Sequence, residues 1–297
     1  MPTLSFFPYY FLYLSYITSS TITQDNHSAA MHVYPYDHIL YRPGYFCSTC
    51  RHPKPARSKH CSICKTCVQK ADHHCIWINN CVGRNNYIYF NLLLLSCSVL
   101  LLYGACLGHS ILDTNLQNRF VPSALTRGSF TSKRWGTRLS WSEYLDAWAW
   151  AMGMEWRIGA VTLLCAMTFP LSTGLLIFHI YLTWAGMTTN EQGKWADWKE
   201  DIMDGVAFKA RISEFRDEFP LLPDNVEPRN VHWPIRKEWW MSRTTGEWPT
   251  KKRRRGSEEE TVTDERWIRV GSLKEVKNIY DLGFWANLKD TFTNREQ

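Results

Sequence analysis

The stretch from Cys47 to Cys81 constrains this chain more than any other. It holds Cys47, Cys50, Cys61, Cys64, Cys67, Cys75 and Cys81, with His52, His60, His73 and His74 among them. A Cys-x2-Cys pair places two thiolates on one tight turn, at the spacing a tetrahedral zinc ion needs. Two such pairs with histidines at short range mark a metal-binding module. Two closed four-ligand sites need eight ligands. Six cysteines and two histidines supply them, and one cysteine is left over. A spare cysteine in such a cluster is either a buried, inert thiol or a reactive one.

Cys75 is the best candidate for the spare. It directly follows Asp72, His73 and His74. A nucleophilic thiol needs a neighbouring base, and the base needs an acceptor that orients it. Asp, His and Cys fill those three roles. Spacing alone does not say which histidine is ligand and which is base. It also leaves open a mixed zinc module without chemistry, with Cys75 as a ligand.

The rest of the chain reads as membrane anchorage. The mean hydropathy of -0.32 suits a soluble protein but hides the distribution. Residues 88–112 and 158–184 contain no Asp, Glu, Lys or Arg. Uncharged apolar runs longer than about 18 residues span a bilayer. Leu4 to Ser20 is aromatic and apolar but contains Pro8, and we read it as a further, borderline span. It lacks the basic start of a signal peptide. Charge says little about sidedness, since residues 23–86 carry eight Lys/Arg and residues 113–157 carry six. Cysteine usage says more. Residues 113–157 hold none, and thiolate ligands with a free thiol belong in a reducing compartment. The cluster is therefore expected in the cytosol and the 113–157 loop in the lumen, with the tail cytosolic. The sequon Asn26-His27-Ser28 then stays unmodified. In the luminal loop Trp135, Trp141, Tyr144, Trp148, Trp150 and Trp156 predict a helix lying on the membrane surface. Pro170 predicts a kink, while Cys97, Cys106 and Cys165 read as small apolar filler and His179 reads either as a functional intramembrane group or as a snorkelling or interface-bound histidine. The tail carries 20 Lys/Arg and 21 Asp/Glu. Its runs Lys251 to Arg255 and Glu258 to Glu260 read as a solvated linker rather than a lipid contact.

The segment from Cys47 to Phe90 resembles the cysteine-rich domain of the DHHC-type protein S-acyltransferases. The resemblance is carried by Lys54-Pro55-Ala56-Arg57-Ser58-Lys59-His60-Cys61, by Asp72-His73-His74-Cys75, and by Trp77 through Asn86. It implies that one structural zinc takes Cys47, Cys50, His60 and Cys67. A second takes Cys61, Cys64, His74 and Cys81. Cys75 is then the nucleophile, with His73 as its base and Asp72 orienting it. Thr188-Thr189-Asn190-Glu191 alone reads as a helix cap. In the family the same motif packs beside the catalytic site, so the resemblance adds Thr188, Thr189 and Glu191 as supporting residues. Asn278 to Asn287 resembles the family's aromatic C-terminal motif, a structural clamp that includes Asn278. Lys54, Arg57, Lys59 and Arg84 are candidates for the acyl-CoA phosphates.

The fold expected is an all-α multi-pass membrane protein, with a small cytosolic zinc-binding domain inserted between transmembrane helices. Its parts are a span at 1–22, the zinc domain at 23–86, a span at 87–112, the luminal loop at 113–157, a span at 158–184, and the tail at 185–297. The family typically has two spans before its cysteine-rich domain. Here there is room for one, so a shortened start is expected. The function implied is transfer of a palmitoyl group from acyl-CoA to cysteines of membrane proteins, through a thioester intermediate on Cys75. Tyr34 to His38 and the segment after it resemble the fungal Swf-type branch. That branch implies the endoplasmic reticulum membrane and SNARE-type targets with cytosolic juxtamembrane cysteines. The competing reading is a membrane-anchored zinc module that binds partners without catalysis. A thiol-redox protein fits poorly, because no alternation of strands and helices surrounds the Cys-x2-Cys pairs.

Overall fold

Short antiparallel hairpins, not helices, carry the cysteine-rich segment. In the computed structural model the described residues are 2–120, 141–211, 230–233, 250–255 and 258–292. They fall into two compact units, one of residues 1–13 and 89–179, the other of residues 14–88 and 180–297. The helices in chain order are α1 (Pro2–Ile17), α2 (Gln24–Val33), α3 (Tyr87–Phe120), α4 (Trp141–Met154), α5 (Trp156–Trp184), α6 (Thr189–Met203) and α7 (Phe284–Phe292). The strands are β1 (Phe46–Cys47), β2 (His52–Pro53), β3 (Lys59–Cys61), β4 (Thr66–Val68), β5 (His73–Cys75), β6 (Asn80–Val82), β7 (Phe208–Arg211), β8 (Asn230–Trp233), β9 (Thr250–Arg255), β10 (Glu258–Thr263) and β11 (Ile268–Arg269).

In the first unit, α3 and α5 hold two stretches long and apolar enough to cross a membrane, Tyr87–Leu116 and Trp156–Trp184. Only 11% and 6% of their most apolar windows are buried, so they are not core helices of a soluble fold. Small residues let the two helices meet. Gly108 lies so close to α5 that an added Cβ would stand 1.9 Å from Thr162 Oγ1, and one at Gly104 would stand 3.0 Å from Cys165 Sγ. Ser98 and Ser172 hydrogen-bond across the pair at 2.9 Å. Leu112 and Leu116 pack on Trp148 and Ala151 of α4.

In the second unit, three two-stranded hairpins pair β1 with β2, β3 with β4, and β5 with β6. Ile22 N–H donates to the Cys67 carbonyl at 2.8 Å, and Thr21 bridges to Val68. The cysteine-rich segment thus draws in residues before position 23. A second core joins Ile39 to Trp195 and Trp198 of α6 and to Ala207, Val270 and Val276. The small sheet β11-β7-β8 continues the unit.

Several expectations change. The chain is helical with small sheets rather than all-α, because Cys-x2-Cys turns need flanking extended residues to aim both sulfurs inward. The first helix has 16 residues and ends at Ile17. The polar Ser19, Ser20 and Thr21 then leave it for the cysteine-rich segment. Within 113–157, α3 extends to Phe120 and α4 forms where a surface helix was expected. Trp135 lies outside the described residues. The runs expected as a linker pair as β9 and β10, with Arg255 opposite Glu258, Arg254 opposite Glu259 and Arg253 opposite Glu260.

Candidate active site

Strand geometry separates the two histidines that spacing left ambiguous. Neighbouring residues of a strand point to opposite faces. On β5, His73 and Cys75 share one face and His74 takes the other. In the ladder His74 stands opposite Cys81, as His60 stands opposite Cys67 in the preceding hairpin. Alternation in β3 likewise sends His60 and Cys61 to different clusters.

Two four-membered groups of cysteine and histidine ligands result, each with its ligand atoms within 4.8 Å of one another: Cys47, Cys50, His60 and Cys67, and Cys61, Cys64, His74 and Cys81. His60 Nδ1 lies 3.5 Å from Cys47 Sγ, 3.3 Å from Cys50 Sγ and 3.9 Å from Cys67 Sγ. His74 Nδ1 lies 3.7, 3.3 and 3.5 Å from Cys61, Cys64 and Cys81. Around one tetrahedral zinc, sulfur and nitrogen ligands stand about 3.6 Å apart. Both groups fit that ion. Such a site is closed by its four protein ligands and holds the hairpins together without taking part in chemistry.

The hairpins are copies of one unit. They open at equal intervals with Cys47, Cys61 and Cys75. Each turns through one residue in the left-handed region, Arg51 (φ 56°), Lys65 (φ 55°) and Asn79 (φ 46°). In each, two backbone N–H groups of the turn bond to the opening sulfur: Thr49 and Cys50 to Cys47, Ile63 and Cys64 to Cys61, Trp77 and Ile78 to Cys75. Each ligand group combines the Cys-x2-Cys of one copy with the His and Cys of the next. The third copy has Ile78 where the others have Cys50 and Cys64. Cys75 therefore lacks the partner thiol that would make its turn a metal knuckle. This repeat is legible in the sequence and explains the spare cysteine.

Around Cys75, His73 Nδ1 lies 2.7 Å from Asp72 Oδ2, and the ring also hydrogen-bonds to Cys75. Burial disfavours the imidazolium, but the hydrogen bonds to Asp72 and Cys75 outweigh it and raise its pKa to about 9. Burial pushes the Cys75 thiol up, while the bond to His73 and the two backbone N–H groups bring it below its ordinary value. Asp72 is held in turn, because Thr189 N–H donates to its Oδ1 at 2.8 Å.

Both readings of the Thr-Thr-x-Glu run meet in one place. Thr188 caps α6 in a capping box: its hydroxyl accepts from Glu191 N–H, and Glu191 Oε2 accepts from Thr188 N–H at 2.9 Å. The same hydroxyl donates to the Ala71 carbonyl at 3.2 Å, beside Asp72. Glu191 is buried and receives two bonds from Arg57, through Nε at 2.7 Å and Nη2 at 2.5 Å. Arg57 also donates to the Gly186 carbonyl and lies over the rings of Tyr280 and Tyr34. Arg57 was expected among the phosphate candidates. The residue, 2% exposed, is instead a buried tie between the cysteine-rich segment and α6. Lys59 is exposed, and Lys54 and Arg84 are half-buried.

The C-terminal motif closes on the end of α5. Asn278 Nδ2 donates to the Ala185 carbonyl at 3.3 Å. Asn287, which sequence reading did not single out, is the more deeply buried carboxamide. It donates to the Trp184 carbonyl at 3.1 Å and accepts from Leu282 N–H at 2.9 Å. These bonds satisfy carbonyls that a helix end leaves without partners. Gly186 is required there: its φ is +63°, and a Cβ would stand 2.6 Å from the Tyr280 carbonyl oxygen.

Residues 41–196 match the family model described as DHHC palmitoyltransferase. Curated relatives agree. The chain is 46% identical to "Palmitoyltransferase swf1" of Emericella nidulans over 99% of its own length and 71% of the relative's. It is 44% identical to the protein of that name from Aspergillus fumigatus, over 98% and 77%. With "Palmitoyltransferase SWF1" of Saccharomyces cerevisiae the identity is 30%, over 93% and 69%. With these matches over the residues that build both ligand groups and the Asp72-His73-Cys75 array, the chain belongs to the DHHC palmitoyltransferase family.

Proposed function

We propose that this chain is a protein-cysteine S-palmitoyltransferase that works through an acyl-enzyme on Cys75. The observation that carries the reading is the run of Asp72, His73 and Cys75, hydrogen-bonded in that order and separate from both ligand groups. Membership of the family supplies the reaction class. Cys47, Cys50, His60 and Cys67 hold one structural zinc in this reading, and Cys61, Cys64, His74 and Cys81 a second.

The Cys75 thiolate attacks the thioester carbonyl of acyl-CoA. A new carbon–sulfur bond forms, the bond to the CoA sulfur breaks, and the leaving sulfur takes a proton from the His73 imidazolium. His73, now neutral, accepts the proton of a target cysteine thiol. That thiolate attacks the acyl-enzyme, and Cys75 departs as thiolate to restore the starting pair. This is two-step covalent catalysis of the ping-pong type. Asp72 keeps the ring in the tautomer that aims its other nitrogen at Cys75. Lys54, Lys59 and Arg84 meet the CoA phosphates in this account.

The account places α1, α3 and α5 across the bilayer. It puts the zinc-binding segment and the tail in the cytosol and the segment between α3 and α5 in the lumen. The apolar surfaces of α3 and α5 and the cysteine distribution support it. Endoplasmic reticulum residence and targets with cytosolic juxtamembrane cysteines, SNARE-type proteins among them, complete the reading by likeness to the Swf-type branch. The test of the transfer is a two-stage assay. Protein loaded with labelled palmitoyl-CoA and freed of CoA should pass its label to a membrane-anchored peptide carrying a juxtamembrane cysteine. Label that transfers only while acyl-CoA is present would contradict the acyl-enzyme route.

A further inference from the structure

A buried carboxylate closes the loop that follows Tyr36. Asp37 is 1% exposed. Its Oδ1 accepts from the N–H groups of Ile39, Leu40 and Tyr41 at 3.2, 3.0 and 2.7 Å. Aspartate folds a chain back on itself in this way when its side chain replaces a backbone acceptor. His38 N–H donates to the Tyr41 carbonyl at 2.9 Å and completes the loop. His38 takes a left-handed φ of 56° to do so, a conformation that few side chains adopt. Burial pushes the Asp37 carboxyl up to about 6 in spite of the three N–H groups, and its Oδ2 has no hydrogen-bond partner among the described residues. A charge costs free energy in such a place.

The loop delivers Tyr41 to Glu191. Ile39 enters the core with Trp195 and Trp198 of α6. The Tyr41 hydroxyl donates to Glu191 Oε1 at 3.1 Å. Its ring is held by Lys194 Nζ, 3.9 Å from the ring centre, and by Tyr280, edge-on at 6.1 Å. Each oxygen of Glu191 then has two donors. Oε1 takes Arg57 Nε and the Tyr41 hydroxyl, and Oε2 takes Arg57 Nη2 and Thr188 N–H. The next N–H along the chain, that of Thr189, is the one on Asp72 Oδ1. Hydrogen bonds and short runs of backbone thus lead without a break from Asp37 to Asp72.

We propose that Tyr41 and Asp37 are positioning residues for the loading of Cys75. The loop keeps the Tyr41 hydroxyl on Glu191, and Glu191 keeps the Thr189 amide on Asp72, which aligns the His73 ring. The inference rests on the acyl-enzyme reading of Cys75. Misplacement of a reacting group by about 1 Å can slow a reaction about 10²-fold, so small shifts at Glu191 register in the rate.

The test measures single-turnover loading of the full-length protein with labelled palmitoyl-CoA, beside zinc content and thermal unfolding. Tyr41→Phe should load about tenfold more slowly at saturating palmitoyl-CoA, with the half-saturating concentration within about twofold of the parent's and zinc unchanged. Asp37→Ala should behave alike, and Asp37→Asn, which keeps an oxygen for the three N–H groups, should recover most of the rate. Asp37→Ala combined with Tyr41→Phe should be no slower than the slower single variant, because both break one run of contacts. Val276→Ala thins the core around Ile39 without touching these bonds and should load at the parent's rate despite lower thermal stability. Tyr41→Phe at the parent's rate, losses that multiply in the double variant, or an equal loss in Val276→Ala would overturn the positioning role and leave the acyl-enzyme reading standing. A parent protein that does not load overturns both.

Discussion

Ile78 stands three residues after Cys75, at the position that Cys50 holds relative to Cys47 and Cys64 relative to Cys61. The turn around it keeps the left-handed residue and the two N–H groups that elsewhere cradle a ligand sulfur. Cys75, the nucleophile of the proposed mechanism, thus sits in the turn of a metal-knuckle cysteine with an aliphatic side chain at the partner position. Ile78 is 2% exposed and part of the buried interior.

Restoring the partner should cost the chemistry. With zinc in excess, Ile78→Cys should take up extra zinc only weakly, since no further copy supplies a His and a Cys, and its acyl-enzyme should fall at least about tenfold, because metal or a second thiol now competes for the Cys75 thiolate. Ile78→Val should keep both properties near the parent's. Unchanged zinc and unchanged loading in Ile78→Cys would show that the residue at 78 does not decide the fate of Cys75.

Removing the carboxylate behind His73 tests the base. Asp72→Asn keeps the shape but presents an amide to Nδ1, favouring the wrong tautomer. Acyl-enzyme formation should slow by about 10²- to 10⁴-fold, the range that general acid–base catalysis supplies, while zinc content stays level. A loss under about fivefold would remove Asp72 from the mechanism.

The Arg57–Glu191 pair should prove a large single contribution to stability. Both side chains are buried, at 3% and 1% exposure. Glu191→Ala strands a buried guanidinium, and such losses cost about 3–5 kcal/mol. Thermal unfolding in detergent should show a marked drop. Arg57→Met with Glu191→Leu should unfold at a higher temperature than Glu191→Ala alone. A drop of less than about 1 kcal/mol in the single variant would mean that water reaches the pair.

Packing of α3 on α5 offers a test in the apolar unit. Gly108→Ala puts a methyl against Thr162, and overpacking of this kind costs about 1–3 kcal/mol. Thr162→Gly in the same chain should recover most of the lost thermal stability. A Gly108→Ala protein as stable as its parent would show that the two helices do not meet there.

Much of this was legible in the sequence, and the exceptions have physical reasons. The ligand count, the two apolar stretches and the Asp-His-Cys order depend on local spacing, which a sequence displays. The roles of His73 and His74 depend on strand alternation, and short hairpins carry no hydrophobic period to announce them. Arg57 misled because a basic residue in a basic segment looks solvated. Its partner lies 134 residues away. Asn287 was passed over for Asn278 because only the folded chain shows which carboxamide meets the end of α5. The hairpin of β9 and β10 hid behind its charge, since neither strand alternates apolar with polar residues.

The most direct measurement is the location of the acyl group itself. The protein is incubated with palmitoyl-CoA, digested without reducing agent, and mapped by mass spectrometry alongside Cys75→Ser and a zinc determination. The account predicts one hydroxylamine-labile acyl group on Cys75, none in Cys75→Ser, and two zinc ions in both proteins. An acyl group on another cysteine, or loss of zinc in Cys75→Ser, would contradict it.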